Sequence, residues 1–360
     1  MNPTLLDKSV KVLLLVFLSF VLLYYGKPFL VPFLIASLLA MLVLPLCAKL
    51  ERKMNKILAV SISLLVLLAV ISVIIGIFAW QVSDISGKAP EIQKNISQKI
   101  VQLREFATNS LGISQQQQQQ IIQEQQQSST GKLSGMMSGF FSSFGSFLTN
   151  FLIVLVYIFL FLLFRAQLQK FVLKLSPNEE QENAQTIMHD VRKVSQKYLT
   201  GLALMIACLW VMYGIGFSIV GVENAIFFAI LCGLLEIVPF VGNLTGVAIT
   251  LLMTLAQNGS SSMLIGILIT YAIVQFTQSY VLEPLVVGRE ISINPVFTIV
   301  GIVGGELLWG IPGMILALPL LGIIKIICDH IQPLKPFGYL IGEEKKKEGK
   351  GSGKLKKLFH

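Results

Sequence analysis

Two long apolar stretches near the C-terminus are each broken in the middle by Pro, Gly and a carboxylate, and this limits the possible folds more than any other feature. The first covers 225–256 and is interrupted at GLLEIVPFVGN (233–243). The second covers 294–327 and is interrupted at GGELLWGIPG (304–313). A helix broken inside a bilayer leaves backbone N–H and C=O groups without intrahelical partners, and these are tolerated only where protein or a water-filled cavity satisfies them. Paired breaks of this kind point to the substrate site of a secondary transporter. The expected fold is therefore all-α and polytopic: about six transmembrane helices plus two broken re-entrant hairpins of opposite direction.

Composition supports a lipid setting. Only 13% of the 360 residues are charged and 54% are hydrophobic, against roughly 25% charged in soluble domains. The net charge of +9 does not suggest nucleic acid, because the basic residues flank apolar spans instead of lining one soluble face. Cys47, Cys208, Cys232 and Cys328 stand singly in apolar segments, which fits buried thiols and gives neither a disulfide nor a metal-ligand spacing. Lys8 and Lys11 precede an apolar run, but no small-residue cleavage site follows it, so the run reads as a retained span.

A span needs about 20 mostly apolar residues. Candidates cover 10–25, 29–48, 57–80, 147–164, 199–220 and 263–282, with Gly26-Lys27-Pro28 expected to join the first two as a helical hairpin. Lys49, Arg52, Lys53 and Lys56 mark one cytoplasmic loop. The basic residues from Arg165 to Lys197 mark another, and Lys345, Lys346 and Lys347 mark the tail. Both termini are then cytoplasmic, and 81–146 lies outside. Parity closes if the two broken segments each enter and leave on one side; eight full crossings is the competing topology. The chain divides into N-terminal helices (1–80), an extracytoplasmic amphipathic and Gln-rich segment (81–146), a span with a cytoplasmic amphipathic helix (147–198), a transport core (199–332) and a basic tail (333–360).

Within 81–146, Ile92, Ile96, Ile100 and Leu103 recur at helical spacing. Gly131, Gly135 and Gly139 fall four apart, an interval that lets helices approach closely within a subunit or between subunits. Ser176-Pro177-Asn178-Glu179 resembles a capping box, and Ile187, Val191, Val194 and Tyr198 continue one helical face into the fifth span.

The candidate substrate or ion site begins with Glu236. An ionised carboxylate at membrane depth costs several kcal/mol unless paired or hydrated, so it is expected to hold a proton, a cation or a polar substrate. The alternative is a carboxylate that caps freed N–H groups at the hairpin tip. Pro239, Gly242 and Asn243 complete that break, and Gln275 and Gln278 give the following span a polar face. Glu306 is the analogous carboxylate of the second hairpin, where Gly305, Gly310, Pro312 and Gly313 are the expected hinges. Catalysis finds no foothold: His189, His330 and His360 share no span with a nucleophile, and Gly351-Ser352-Gly353-Lys354 lacks the P-loop's first Gly and its Ser/Thr. No cofactor is implied.

Several blocks together resemble the autoinducer-2 exporter-like permeases. They are Leu235-Glu236-Ile237-Val238-Pro239-Phe240-Val241-Gly242, Gln275 through Leu282-Glu283-Pro284 to Val287-Gly288, Ile291-Ser292-Ile293-Asn294-Pro295, and Gly304-Gly305-Glu306 through Gly310-Ile311-Pro312-Gly313 to Pro319, with Tyr198-Leu199-Thr200-Gly201 at the fifth span. The resemblance covers nearly the whole chain. It implies a homo-oligomeric permease of the bacterial inner membrane, surrounded by lipid, that exports autoinducer-2 or exchanges sodium for protons. Gln278 departs from it, because an acidic residue is expected there. Three functions follow as expectations: a secondary exporter of a small polar solute, a monovalent cation/proton antiporter, and a non-transporting membrane scaffold.

Overall fold

The computed structural model describes residues 3–88, 94–95, 98, 151–177, 181–238, 241–287 and 293–343. Among these the fold is helical, apart from an isolated antiparallel bridge between Ile293 and Gly342. Six helices are long and apolar enough to cross a membrane: α2 (Lys27–Glu51), α3 (Lys56–Gly87), α4 (Phe151–Leu175), α5 (Gln181–Val220), α8 (Ser261–Thr277, continued by a π-helical stretch Gln278–Val287) and α10 (Ile311–His330). The shorter apolar helices are α1 (Pro3–Tyr25), whose apolar part is Val10–Tyr25, α6 (Ala225–Leu235), α7 (Val241–Ala256) and α9 (Pro295–Trp309). The number of spans agrees with expectation but the membership does not. Ile311–His330 has the length of a span, whereas Val10–Tyr25 falls short.

The expected N-terminal hairpin is not formed. Gly26 N–H donates to Leu22 O and Leu30 N–H to Gly26 O, both at 2.8 Å. That is the i to i−4 ladder of a helix passing through the joint. Gly26 stays right-handed at φ −75° and ψ −4°. Pro28 removes one donor, which bends a helix without reversing it. Residues along 10–25 are mostly exposed, Leu22 at 68% and Tyr25 at 77%.

The charged stretch after the fourth span is also more helical than its charges suggest. α4 continues past 164 to Leu175, and α5 starts at Gln181. At 1.5 Å per residue, the 40 residues of α5 reach about 60 Å, twice a hydrocarbon core. Its first half is amphipathic as expected: Ile187, Val191, Val194 and Tyr198 are half-buried while Arg192, Lys193 and Lys197 are exposed. Of the proposed cap, Asn178 and Glu179 lie outside the described residues. So do the external amphipathic repeat, the Gln-rich segment, the glycine series and the lysine-rich end.

The chain forms two compact units, 1–168 with 199–288, and 169–198 with 289–360. In the first, α2, α3 and α4 close on small residues: Ala36, Cys47 and Ala59 are fully buried against Ile158 and Leu162. The end of this bundle is ionic. Arg165 pairs with Glu51, and Lys56 Nζ donates to Leu163 O at 2.5 Å. Replacing Arg165 with Met leaves the Glu51 carboxylate with only the Cys47 thiol, at 3.6 Å, as a hydrogen-bond donor among the described residues, and the lost hydrogen bond to a charged group costs about 1.5–3 kcal/mol. Thermal unfolding in detergent should show the loss, and the exchange Glu51→Arg with Arg165→Glu should recover most of it. A second core gathers Leu209, Tyr213 and Phe217 of α5 with Phe228 of α6 and Ile267 of α8. At its edge Lys88 pairs with Glu223 (2.5 Å) and Asp84 (3.2 Å). Those two carboxylates hold the Lys88 ammonium above its ordinary range, so the tie is unchanged across neutral pH.

Both broken stretches are helical hairpins. α6 and α7 run antiparallel, with Gly242 against Leu235 and Gly246 against Cys232. The 11 residues of α6 reach about 16 Å, too short to cross about 30 Å of hydrocarbon. α9 and α10 pivot at Gly310, which takes φ +69°, a conformation that favours glycine. Asn294 N–H donates to Ile341 O at 2.8 Å, so the start of α9 and the chain beyond α10 meet at the same open end. There Asn183 Nδ2 donates to His330 O (3.4 Å), and His330 Nε2 faces Asp190 (3.4 Å). The chain just past α10 is folded as well: a 3₁₀ turn (Gln332–Leu334) and α11 (Lys335–Ile341) return along α10, with Gly338 packed on Asp329.

Candidate functional site

The site sits where the tip of the first hairpin meets α8. α6 ends at Leu235, and the next residues turn back on the chain. Glu236 N–H donates to Cys232 O (3.1 Å), Val238 N–H to Leu235 O (2.9 Å) and Gly242 N–H to Val238 O (3.0 Å). These bonds absorb backbone groups freed by the break. The capping they would otherwise need from the Glu236 side chain is supplied by the backbone, which leaves the carboxylate available. Pro239 lies outside the described residues. Gly242 is buried, and a Cβ there would stand 1.7 Å from Leu235 O, so only glycine lets α7 begin this close.

Two side-chain bonds tie the tip to α8. Gln278 Nε2 donates to Glu236 Oε1 at 2.7 Å, and Asn243 Nδ2 donates to Gln275 Oε1 at 3.0 Å. Gln275 and Gln278 are three apart on one helical face, and the π-helical stretch begins at Gln278. The wider π turn is a departure found frequently at functional sites, and nothing in the sequence pattern forecast it. Gln278 is 5% exposed. Four buried atoms in this region have no hydrogen-bond partner among the described residues: Glu236 Oε2, Asn243 Oδ1, Gln278 Oε1 and Tyr213 Oη. Three are pure acceptors. Tyr213 and Tyr271 both lie within electrostatic reach of Glu236.

Tyr213 is the residue that sequence reading misses. It sits fully buried in an otherwise apolar span, and the only available signal was a lone phenol there. Cys232 Sγ and Thr250 Oγ1 approach at 3.8 Å beneath the tip. The arrangement can clamp a proton, a cation or a hydroxyl donor between one carboxylate and two amide oxygens. Among the described residues no group of three or more His, Cys, Asp or Glu could hold a metal.

The second hairpin belongs to the other unit. Glu306 is exposed, and among the described residues no hydrogen bond or ion pair reaches its side chain. Its backbone carbonyl accepts from Gly310 N at 2.7 Å. Gly305 and Gly313 are in backbone contact: a Cβ on Gly313 would lie 1.9 Å from Gly305 O. Pro312 stands in the first turn of α10, where its missing N–H costs nothing.

Residues 12–332 match the family model described as AI-2E family transporter. The chain is 29% identical over 163 residues to the “Putative transport protein YrrI” of Bacillus subtilis, covering 45% of this chain and 46% of that protein. A second Bacillus subtilis relative of the same description, YtvI, is 27% identical over 159 residues, 44% of this chain and 42% of that one. YhhT of Escherichia coli K12, described likewise, is 22% identical over 275 residues, three quarters of each chain. The aligned stretch thus spans less than half the length of YrrI and YtvI. The family match, in contrast, runs from the start of the first apolar helix to just beyond α10. With broken hairpins of the expected kind inside that match, the chain belongs to the AI-2E family of transporters.

Proposed function

We propose that the protein is a secondary transporter that moves a small polar solute such as autoinducer-2 outward, with Glu236 as the carboxylate that couples solute to an ion gradient. The observation that carries this reading is the half-paired Glu236. One oxygen is held by Gln278 across the hairpin-to-α8 contact, and the other has no partner among the described residues. A group held in that way can gain a proton, a cation or a hydroxyl without dismantling its support. Asn243, Gln275 and Gln278 orient it, and Gly242 lets the tip approach α8. In this reading Gly305, Gly310, Pro312 and Gly313 shape the second hairpin, and Glu306 has an accessory role.

A second reading is favoured by the three unpartnered acceptor oxygens at the tip. Oxygens without opposing donors suit a monovalent cation, as in a sodium/proton antiporter. Flux in proteoliposomes with and without autoinducer-2 separates the two. Solute-dependent proton or sodium movement supports the exporter, and cation exchange without solute supports the antiporter. Absence of flux in both conditions would overturn both readings.

The same proposal places the loop at 49–56, the first half of α5 and the tail in the cytoplasm of a bacterium, around an inner-membrane homo-oligomer. The first hairpin then opens outward and the second inward. Cysteines introduced at Glu223 and Asn258 are expected to react with a membrane-impermeant maleimide from one side, the outside. Labelling from opposite sides would mean that α6 and α7 cross in full.

A further inference from the structure

The ten buried side-chain atoms without hydrogen-bond partners among the described residues fall into two groups. Four belong to the tip. The other six are Gln81 Nε2 and Oε1, Asn224 Nδ2, Thr254 Oγ1, and Gln257 Nε2 and Oε1. The register of the surrounding helices sets them toward the opposite, open end of the first hairpin. Gln81 lies one turn past Phe78, whose ring meets Phe227 at 5.0 Å, and two turns before Lys88, which pairs with Glu223. It is therefore level with the start of α6, where Asn224 takes φ +60°. The antiparallel register set by Gly246 on Cys232 brings the end of α7, with Thr254 in its last turn and Gln257 just beyond it, to the same level. Asn95 joins them there by donating to Ala256 O at 3.0 Å. Gln81 is 1% exposed and Thr254 2%.

The large majority of buried polar groups in native proteins are paired, so six orphaned atoms at one level of the hairpin call for a partner. From them we infer a second binding site, at the base of the first hairpin, that takes a neutral, multiply hydroxylated solute. The chemistry of the lining selects the class. Three atoms belong to amide NH₂ donors, two are amide carbonyl acceptors, and the Thr254 hydroxyl does both. Hydroxyl groups likewise donate and accept, so a polyol matches this mixed lining. A cation would face three NH₂ groups, and an anion two carbonyls. The Lys88 ammonium at this edge is already held by Glu223 and Asp84. The tip, by contrast, offers a carboxylate and acceptors. The 11 residues of α6 separate the sites by about 16 Å, so a solute would dock at the base through hydroxyls before reaching the charged tip.

This inference rests on the transporter reading but is tested apart from it. Full-length Thr254→Cys protein in proteoliposomes is alkylated with a small maleimide, followed by peptide-resolved mass spectrometry. The competitors are autoinducer-2, xylitol as a neutral polyol, and sodium chloride. Either hydroxylated compound is expected to slow modification of the new thiol at least threefold, and sodium chloride not at all. Gln81→Leu, or Gln257→Met if the first variant folds poorly, should remove the protection, while Glu236→Gln should keep it. No reaction at Thr254→Cys, equal rates with and without solute, or protection by salt alone would overturn the site. Protection retained in Glu236→Gln protein whose flux is unchanged would keep this site and sink the coupling role of Glu236. Lost flux without protection would do the reverse.

Discussion

Glu236→Gln is expected to abolish ion-coupled flux in proteoliposomes, by about 100-fold or more, while leaving the protein folded. The substitution keeps the shape and one carbonyl oxygen, so Gln278 can still donate to it as it does to Glu236 at 2.7 Å. What disappears is the capacity to alternate between charged and neutral forms. A 100-fold loss corresponds to about 2.7 kcal/mol at 1.36 kcal/mol per decade, well within the interaction energy of a buried carboxylate with a cation or proton. Gln278→Leu removes the donor and leaves the carboxylate unsupported. The cost of a lost hydrogen bond to a charged group, about 1.5–3 kcal/mol, translates to about 10- to 100-fold in flux. Wild-type flux in Glu236→Gln at saturating gradient would remove Glu236 from the mechanism, and the antiporter reading would fall with the exporter reading.

The second large effect concerns backbone. Gly242→Ala should destabilise the protein by about 3 kcal/mol, near or above the upper end for overpacking, and Gly313→Ala should do the same. In both, the new Cβ meets a carbonyl of the opposing arm, at 1.7 Å from Leu235 O and 1.9 Å from Gly305 O. Neither clash can be relieved by a rotamer change, because the obstacle is main chain. Gly304 is the internal control. It lies in the middle of α9, and a Cβ there meets nothing within 4 Å. Gly304→Ala should therefore be neutral or stabilising by about 0.5–1 kcal/mol, the usual preference of a helix interior for alanine. Unfolding midpoints of detergent-solubilised variants, followed by size-exclusion profile, provide the comparison. Equal midpoints for Gly242→Ala and Gly304→Ala would mean that the hairpin arms are not in backbone contact.

Much of the architecture was legible because lipid enforces it. Apolar length marks spans, and Pro and Gly inside such length mark breaks; both hairpins followed from that. The polar side chains of the site were legible for the same reason, since Glu236, Asn243, Gln275 and Gln278 are conspicuous among leucines and valines. Their pairing was not, because it depends on the rotation of α8 about its axis and on the π turn at Gln278, which no periodicity records. The joint at Gly26 misled in the opposite direction. Gly-Lys-Pro is turn chemistry, yet Pro28 within the first turn of α2 lets the helix continue. Tyr213 and Gln81 were hidden for a simpler reason: one polar residue in a long apolar helix carries no pattern, and only burial without a partner reveals it.

The contact of Gly305 with Gly313 has a mechanical consequence. Where helices touch through side chains, rotamer changes allow them to slide and splay. Here the surfaces in contact are peptide planes, which have no such freedom. The second hairpin is accordingly closed near its tip by main chain against main chain, with no rotamer to adjust between the arms. A push of one arm toward the other therefore meets backbone directly, and the open end is tied in its turn where Asn294 N–H donates to Ile341 O.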